Sequence, residues 1–519
     1  MRVVLPIILV LALAAACTGT PTPSASGRPD NTAMVLAEAT EPASLNPLSG
    51  YAENGSAKIF DGLLEHQADG SLRPALAKAL PVPAGDGKSW TITVQTGIRF
   101  SDGAAFGAGD VLATYRALLD PVVNSPLRGR YAMLTGVDQV DATTVRFDLA
   151  YPYAPFPELL VLGILPASAL TPVVPVTQSP ADTKPVGTGP YVLASWTRGT
   201  NLILTANPTH FGGVPKVKKV TIEFIPDDAT RAQELRAGKL DGAAVSPSQA
   251  ATFTSSNAFG ILTDQSADLR AITLPAHGPV TGDAAVRTAL NLAVDRSGLV
   301  SGPLTNQGSA AVTPVPAVLP EFVEPNATFD YDPAKAGTVL QQAGWVPDQD
   351  GTRARGGVTA AFTVYYPTGD ALDAALATAF VRNAKTIGVA VTATAIAPDQ
   401  LSGKESTDAT LISTGDPFDP DLGLYTLLHS GGNPAGYRDQ AVDSALDTGR
   451  HQLDPAQRAV AYRALQRGYL TDPAMVCLVF TDHTYVMRAN WTGYQEVVDT
   501  ASQDTTWGAW WNLDQWLPR

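Results

Sequence analysis

Histidine, aspartate and glutamate side chains are the groups that most often transfer protons or bind metals in proteins. This chain has six histidines and 49 acidic residues. The histidines are scattered, with no pair at metal-ligand spacing: His66, His210, His277, His429, His451 and His483. The sequence contains neither a G-x-S-x-G nucleophile elbow nor an H-E-x-x-H motif. It therefore indicates no catalytic set, and we expect a protein that is not an enzyme and uses neither a metal nor a cofactor.

Two short strings are similar to ligand-binding loops but lack essential positions. Gly87-Lys88-Ser89 matches the end of a phosphate-binding loop, but that loop requires a glycine five residues earlier, where Val82 stands. Asp348 and Asp350 with Gly351 suggest a calcium loop, but the third carboxylate and the terminal glutamate are missing. We therefore predict no phosphate site, and we predict a hairpin turn at the second string.

Short strands alternate with helices along the chain, which is typical of a mixed α/β fold. Two runs alternate apolar and polar residues as half-buried strands do: 90–94 and 217–225. Four runs have helical spacing: 111–119, 227–237, 283–299 and 455–470. We expect Asp110 to be the N-terminal cap of the first helix and Asp227 that of the second.

Length and composition indicate an ordinary globular body of about two or three domains. Of the 519 residues, 45% are hydrophobic and 16% are charged. The formal net charge of -14 argues against nucleic acid or anionic lipid as a partner, because both would be repelled by the net field. An acidic chain suits a cationic or zwitterionic ligand, although a solvated acidic surface explains the charge equally well.

The N-terminal segment predicts export. Met1-Arg2 gives a basic start, and an apolar run then ends at Ala14-Ala15-Ala16, just before Cys17. Residues 1–17 are thus predicted to be a secretory signal, too short for a permanent membrane span. Cys17 resembles the lipidated cysteine of bacterial lipoproteins, although that motif usually has leucine where this chain has Ala14. An ordinary secretory signal is the alternative.

Residues 18–33 are rich in Thr, Pro, Ser and Gly, which predicts a disordered tether. Cys477 is the only other cysteine, so lipidation of Cys17 would leave no intramolecular disulfide. Cys477 lies in an apolar run that we interpret as a buried strand, where a cysteine serves packing rather than reactivity.

Several longer strings occur in a fixed order beyond the signal. They include Phe100-Ser101-Asp102-Gly103, Pro185-Val186-Gly187-Thr188-Gly189-Pro190-Tyr191, Tyr331-Asp332-Pro333, Ala343-Gly344-Trp345 and the stretch from Asp454 to Arg467. Together they resemble the family-5 solute-binding proteins of ABC importers, which include oligopeptide- and dipeptide-binding proteins. The resemblance covers essentially the whole chain after the signal.

The resemblance implies a periplasmic-binding-protein-like fold of type II, with two α/β lobes around a cleft, mixed sheets and an extra inserted domain. We expect the first lobe to combine residues 34–58, 183–278 and 488–519. The inserted domain is expected at 59–182 and the second lobe at 279–487. Two crossing strands should form the hinge between the lobes.

The segment 413–421 reads S-T-G-D-P-F-D-P-D. In peptide-binding members of the family the matching stretch is often Trp-Thr-Gly-Asp followed by Asp-Pro-Asp, and its first aspartate faces the ligand's amino terminus. The resemblance therefore implies that Asp416 pairs with a ligand ammonium. The alternative is that Asp416 only caps a turn before the proline. Ser413 departs from the family's tryptophan, which leaves the pocket size open, and Asp419 and Asp421 are expected to be turn and helix caps.

Six further residues are candidate ligand contacts: Thr414, Gly415, Tyr51, Asn54, Asn433 and Tyr437. Thr414 and Gly415 would hydrogen-bond to a peptide backbone as a strand does. Tyr51 would pack on the ligand from the first lobe, or it is an exposed loop tyrosine. The loop that carries Asn433 and Tyr437 would shape the second-lobe wall, or it simply connects helices.

The expected function is that of a binding protein whose lobes close on a short peptide outside the cytoplasmic membrane. The expected partners are that peptide, the permease subunits of an ABC transporter, and the membrane through a lipid anchor on its extracytoplasmic face. We expect a monomer that binds no nucleic acid. Two alternatives remain open: the same fold with a metal chelate, haem, opine or oligosaccharide as cargo, and an exported hydrolase.

Overall fold

The computed structural model describes residues 32–519. The predicted signal, its Cys17 and the tether as far as residue 31 lie outside the described residues. The first strand begins at Ala33, the last residue of the predicted tether. Within the described part of the chain, no helix is long and apolar enough to cross a membrane.

The described residues form strands and helices in alternation, with many short 3-10 turns between them. The strands are β1 (Ala33–Glu38), β2 (Leu64–His66), β3 (Leu72–Pro74), β4 (Ser89–Thr93), β5 (Leu134–Asp141), β6 (Thr144–Leu149), β7 (Tyr191–Thr197), β8 (Asn201–Ala206), β9 (Lys219–Phe224), β10 (Gly242–Ala244), β11 (Phe259–Thr273), β12 (Gly308–Ala310), β13 (Val346–Pro347), β14 (Arg353–Arg355), β15 (Val358–Thr359), β16 (Ala361–Pro367), β17 (Ala390–Ile396), β18 (Ala409–Thr414), β19 (Met475–Arg488), β20 (Trp491–Thr492) and β21 (Leu517–Pro518). The α-helices are α1 (Ala108–Leu119), α2 (Asp228–Arg236), α3 (Pro247–Ala250), α4 (Ala284–Ala293), α5 (Arg296–Ser301), α6 (Pro333–Gln342), α7 (Ala371–Thr386), α8 (Pro398–Leu401), α9 (Pro420–Leu428), α10 (Gln440–His451) and α11 (Pro455–Thr471).

Most of the predicted elements are confirmed. The strand predictions correspond to β4 and β9, and the helix predictions at 227–237 and 455–470 correspond to α2 and α11. Asp227 caps α2 by accepting a hydrogen bond from the backbone N–H of Thr230. The string at Asp348 is a hairpin turn between β13 and β14, as predicted. Cys477 lies in β19 and is fully buried.

Two helix predictions are wrong in detail. Helix α1 begins three residues earlier than predicted, so Asp110 is not its N-cap; its carboxylate reaches back to the backbone N–H of Gly107, the true N-cap residue. The run 283–299 is not one helix, because the backbone is extended at Val294 and Asp295 caps a separate helix, α5. The apolar spacing continues across this break, so periodicity alone did not indicate it.

One mixed sheet of 11 strands runs through the protein. At one end β10, β1, β9, β8 and β7 lie side by side, with β1 parallel to both of its neighbours. At the other end β16 lies between β17 and β18 and is parallel to both. The antiparallel pair β11 and β19 lies between the two ends and connects them. This mixed α/β architecture agrees with the predicted fold class.

The pair β11 and β19 consists of the two longest strands, of 15 and 14 residues. Residues 259–265 pair with 482–488, and after an irregularity residues 269–273 pair with 475–480. The first part adjoins β10 and the second part adjoins β18. The irregularity therefore falls between the two ends of the sheet, where we expect the hinge.

Buried hydrophobic residues form separate clusters around these two ends. The largest cluster combines residues from the first half of the chain with residues of the C-terminal segment, for example Met34, Phe147 and Trp510. Two further clusters lie between residues 269 and 480 and include Trp345 and Tyr462. A discontinuous first lobe would give this grouping, and the lobe boundaries stay predictions.

Candidate functional site

Asp416 lies in the connection between β18 and α9, which we call the Asp416 turn (residues 415–419). Its Oδ1 accepts hydrogen bonds from the backbone N–H groups of Phe418, at 2.9 Å, and Asp419, at 3.1 Å. Its Oδ2 faces the guanidinium of Arg130, with 3.6 Å to Nη2. The side chain is buried, with 8% of its residue surface exposed. One oxygen therefore organises the turn, and the other is directed toward a cation.

The protonation of Asp416 depends on this environment. Burial raises the pKa of Asp416 to about 6, although the positive charge of Arg130 and the two backbone N–H donors act in the opposite direction. A carboxyl group that titrates near this value is charged at neutral pH and becomes neutral in mild acid. Its ability to pair with a cation therefore depends on pH.

Arg130 comes from a distant part of the chain, at the end of the 3-10 helix Pro126–Tyr131. Its Nη1 lies 3.4 Å from Oε2 of Glu53, so the guanidinium sits between two carboxylates. Both separations are longer than a charge-assisted hydrogen bond. The sequence prediction missed Arg130, because no motif surrounds it and its partners lie far away in sequence.

The loop of residues 50–56, which belongs to the predicted first lobe, is linked to the Asp416 turn through His66. Four of its residues have positive φ, namely Gly50, Ala52, Gly55 and Ser56. For Ala52 and Ser56 this conformation is strained, and such strain is concentrated at functional sites. The loop also carries Tyr51, Glu53 and Asn54. Its conformation therefore supports the prediction that this segment belongs to the binding site.

His66 connects this loop to the Asp416 turn. Its Nδ1 lies 2.9 Å from the backbone carbonyl oxygen of Asn54, and its ring stacks on Phe418 with centroids 3.5 Å apart. Burial lowers the pKa of His66 to about 4, and burial raises the pKa of Glu158 well above its ordinary value. We therefore assign a neutral imidazole that donates from Nδ1 to Asn54, while a protonated Glu158 donates to Nε2 over 2.8 Å.

Thr414 and Gly415 lead from β18 into the Asp416 turn. Thr414 pairs with Leu269 of β11. The ladder between β16 and β18 ends at Thr410, so the last residues of β18 extend beyond it. Gly415 has φ +140°, and a Cβ at this position would lie 1.9 Å from the carbonyl oxygen of Ala267. Only glycine fits here, because the main chain presses directly against the hinge strand.

Tyr51 lines a different space, a cavity of about 570 Å³ within the predicted first lobe. The walls of this cavity carry the carboxylates of Glu38, Glu41 and Asp504. Burial, together with the charge of Asp504, raises the pKa of Glu38 to about 8. Burial also raises the pKa of Tyr51 above its ordinary range. Glu38 is therefore protonated at neutral pH, and the cavity, which is lined by three carboxyl groups, could accept a polar or cationic part of a ligand.

Asn433 and Tyr437 differ from the other candidates because their side chains hydrogen-bond to backbone groups of the protein itself. The side-chain amide of Asn433 donates to the carbonyl oxygen of Tyr437 at 2.7 Å and accepts from its N–H at 2.8 Å. The Tyr437 hydroxyl donates to the carbonyl oxygen of Asp472, and the residue is only 2% exposed. The structure gives both side chains scaffold contacts, so we do not include them in the candidate site.

Asp419 is the N-cap of α9, as expected, and also pairs with Arg458 at 2.8 Å. The cap prediction for Asp421 is wrong. Its carboxylate accepts three hydrogen bonds from Arg450 and one, at 2.8 Å, from the hydroxyl of Tyr153. Tyr153 belongs to the predicted inserted domain and Asp421 to the predicted second lobe, so this buried group connects the two parts of the chain.

The described residues were predicted to hold no metal ion, and the arrangement of their side chains bears on this prediction. Across residues 32–519, no three His, Cys, Asp or Glu side chains are grouped so that they could hold a metal ion. The Asp416 turn instead combines a buried carboxylate with a guanidinium from a distant part of the chain, which makes it a candidate binding site.

Residues 71–435 match the family described as bacterial extracellular solute-binding proteins, family 5, middle. Protein XP55 of Streptomyces lividans is 43% identical over 468 residues, which cover 89% of this chain and 86% of that protein. The oligopeptide-binding protein AppA of Bacillus subtilis is 25% identical, over 91% of this chain and 90% of its own length.

The fold is also found among solved structures. NikZ from Campylobacter jejuni, solved in complex with Ni(L-His), superposes with a TM-score of 0.85 and 26% sequence identity. The match covers 94% of this chain and 99% of NikZ. With the family match over most of its length, this chain is a member of the family-5 bacterial extracellular solute-binding proteins.

Proposed function

We propose that the protein is a receptor that captures short peptides outside the cytoplasmic membrane and delivers them to the permease of an ABC transporter. Family-5 solute-binding proteins serve such importers, and the relatives of this chain include an oligopeptide-binding protein. The proposal includes no catalytic step. In this proposal the receptor is a monomer, and acyl chains attached to Cys17 hold it at the membrane.

One observation carries the choice of peptide: the second carboxylate oxygen of Asp416. Because Oδ1 is used by the turn, Oδ2 keeps a fixed direction; it faces Arg130 across 3.6 Å, a separation long enough for a ligand ammonium to take the place of the guanidinium. A peptide's amino terminus is such an ammonium. In a buried site the carboxylate is the natural partner for it, since an unpaired buried charge is strongly unfavourable.

The surrounding groups suit the remainder of a peptide. The last residues of β18 extend beyond its ladder with β16, so their main chain could pair with an extended ligand on that side. The cavity beside Tyr51 would take a side chain or the distal end of the ligand. Closure of the two lobes would then bury the ligand between Asp416 and the 50–56 loop.

Titration calorimetry tests this proposal with di- to hexapeptides, each with a free and with an acetylated amino terminus. We expect binding of the free forms only. Asp416→Asn keeps the size of the side chain but removes its charge, so affinity should fall by about 100-fold or more.

The matched control is Asp350→Asn. Asp350 is an exposed turn aspartate whose Oδ1 also accepts a backbone N–H, at 2.8 Å from Thr352. The Asp350→Asn variant should bind peptides with the same affinity as the wild type. If no peptide binds, the cargo is not a peptide; if Asp416→Asn binds normally, the anchor is elsewhere.

A second candidate is a complex of a metal with an amino acid. The structural likeness to NikZ, solved with Ni(L-His), favours it. Titration calorimetry tests this candidate by comparing a mixture of Ni²⁺ and histidine with Ni²⁺ alone and with histidine alone. Binding of the mixture but not of peptides would replace the first proposal.

A further inference from the structure

The environment of Arg130 bears on which ligands the site accepts. Asp416 has one ion pair within the described part of the chain, and Arg130 is its partner. The long distance of 3.6 Å means that the guanidinium neutralises the carboxylate without a close hydrogen bond. Arg130 is also accessible, with 24% of its side chain exposed. A cation that arrives in the cleft could therefore replace it.

Glu53 provides Arg130 with a second partner on the opposite side. The Nη1 atom lies 3.4 Å from the Glu53 carboxylate, and Glu53 is itself 42% exposed at its side chain. If Arg130 leaves Asp416, its charge is still balanced by Glu53. Glu53 comes from the strained 50–56 loop, which has a defined conformation.

The charges of Asp416, Arg130 and Glu53 together favour a cationic ligand over an anionic one. Two carboxylates and one guanidinium sum to one net negative charge. A ligand ammonium would neutralise the group, whereas a ligand carboxylate would add a second negative charge at a partly buried site. Arg130 is therefore poorly placed as a receptor for ligand carboxylates.

We propose that Arg130 competes with the ligand's ammonium for Asp416: a ligand ammonium that binds Asp416 displaces the guanidinium toward Glu53. The proposal rests on the proposed function, because it takes Asp416 as the ligand anchor. It makes Arg130 and Glu53 specificity-determining residues. The site selects solutes with a primary ammonium at one end and no anionic group beside it.

The pair also joins two parts of the chain. Arg130 belongs to the predicted inserted domain and Asp416 to the predicted second lobe. The ion pair therefore links these parts, as the hydrogen bond between Tyr153 and Asp421 does. A ligand must compete with this internal contact, so the pair lowers affinity for every solute that cannot replace Arg130.

The experiment uses Arg130→Met, Glu53→Gln and the double variant, with Arg128→Met as matched control from an exposed position of the same 3-10 helix. Calorimetry with a free-amino peptide should show about fivefold tighter binding by Arg130→Met, because the internal competitor is gone. Glu53→Gln should bind about fivefold more weakly, because displaced Arg130 loses its partner. The double variant should bind the peptide no more weakly than Arg130→Met does. Arg128→Met should bind it with the same affinity as the wild type.

Small-angle scattering of the ligand-free proteins gives a readout that needs no cargo. Arg130→Met should have a larger radius of gyration than the wild type and Arg128→Met, whereas Arg130→Lys should stay compact. If the wild type binds no peptide, the proposed function fails and the scattering alone decides about Arg130. Weaker peptide binding by Arg130→Met, or an unchanged radius of gyration, would overturn the inference.

Discussion

At the scale of single residues, the proposed anchor role of Asp416 makes ligand affinity depend on the ionisation of its carboxyl group. Only the ionised carboxylate attracts an ammonium, and burial raises the pKa of Asp416 to about 6. Protons therefore compete with the ligand below this pH, and a bound ammonium in turn lowers the pKa. We expect peptide affinity to be about tenfold weaker at a pH about one unit below this pKa than at neutral pH.

Calorimetry across this pH range, with buffers of matched ionic strength, measures the effect. Asp416→Asn supplies the control, since its residual affinity should not vary with pH over the same interval. An unchanged affinity of the wild type would show that Asp416 does not carry the ligand's charge.

The sequence indicated candidate site residues only where a string identified them. Thr414, Gly415 and Asp416 belong to such a string, and their role in binding stays a prediction. Arg130 and Glu53 belong to none, because an ion pair between distant segments leaves no local pattern. Asn433 resembled a site residue, but its amide is used by its own loop.

At the scale of elements, the two long strands β11 and β19, where we expect the hinge, carry a buried group of charges. His483 of β19 lies with Nδ1 2.8 Å from Asp499 and with Nε2 3.5 Å from Asp268 of β11. Burial acts to lower the pKa of His483, but the two carboxylates outweigh it and raise the pKa to about 9. Burial likewise acts to raise the pKa of Asp268, and the neighbouring Arg270 outweighs it, so that the pKa is lowered. The histidine is therefore charged in the folded protein.

This charge makes stability depend on pH. Because the folded-state pKa of His483 is raised, its contribution is fully present below the ordinary value of about 6.5 and is lost as pH rises through about 9. The loss amounts to about 3 kcal/mol. Urea unfolding at these two pH values measures it.

The comparison with His483→Gln isolates this residue from other titrating groups. The variant should be less stable than the wild type below pH 6.5, and the difference should shrink toward alkaline pH. An equal pH dependence in both proteins would contradict a charged His483 at the hinge.

Element boundaries show the limit of periodicity. Helix α4 ends because Val294 is extended, and α5 begins with Asp295 as its N-cap. The spacing of apolar residues gives no sign of this break. The start of α1 was misplaced because an aspartate favours N3 as well as the N-cap, where it bonds back to the first N–H groups.

At the scale of the whole molecule, the proposed lipid anchor at Cys17 would keep the protein at the membrane. A lipid-anchored receptor stays at the membrane, and stable attachment requires more than one acyl chain. We expect the wild type in the membrane fraction of the producing cell, and Cys17→Ser in the soluble fraction. Metabolic labelling with an alkyne fatty acid should mark the wild type only. Equal labelling or equal fractionation of both would show that Cys17 is not the anchor.

The architecture was predictable because the family strings stabilise the scaffold itself. Trp345, for example, is fully buried, and Gly187 and Gly189 both lie against the backbone of Ile59. The cargo was not predictable in the same way. The candidate site combines the 50–56 loop, the 3-10 helix of Arg130 and the Asp416 turn, and only folding brings these segments together.

The most direct test of the receptor function is native mass spectrometry of the protein after purification without denaturation. Tight-binding receptors carry their cargo through purification. We predict additional masses that correspond to short peptides with free amino termini, present on the wild type and absent from Asp416→Asn. A retained metal chelate, opine, haem or sugar in place of peptides would contradict the account.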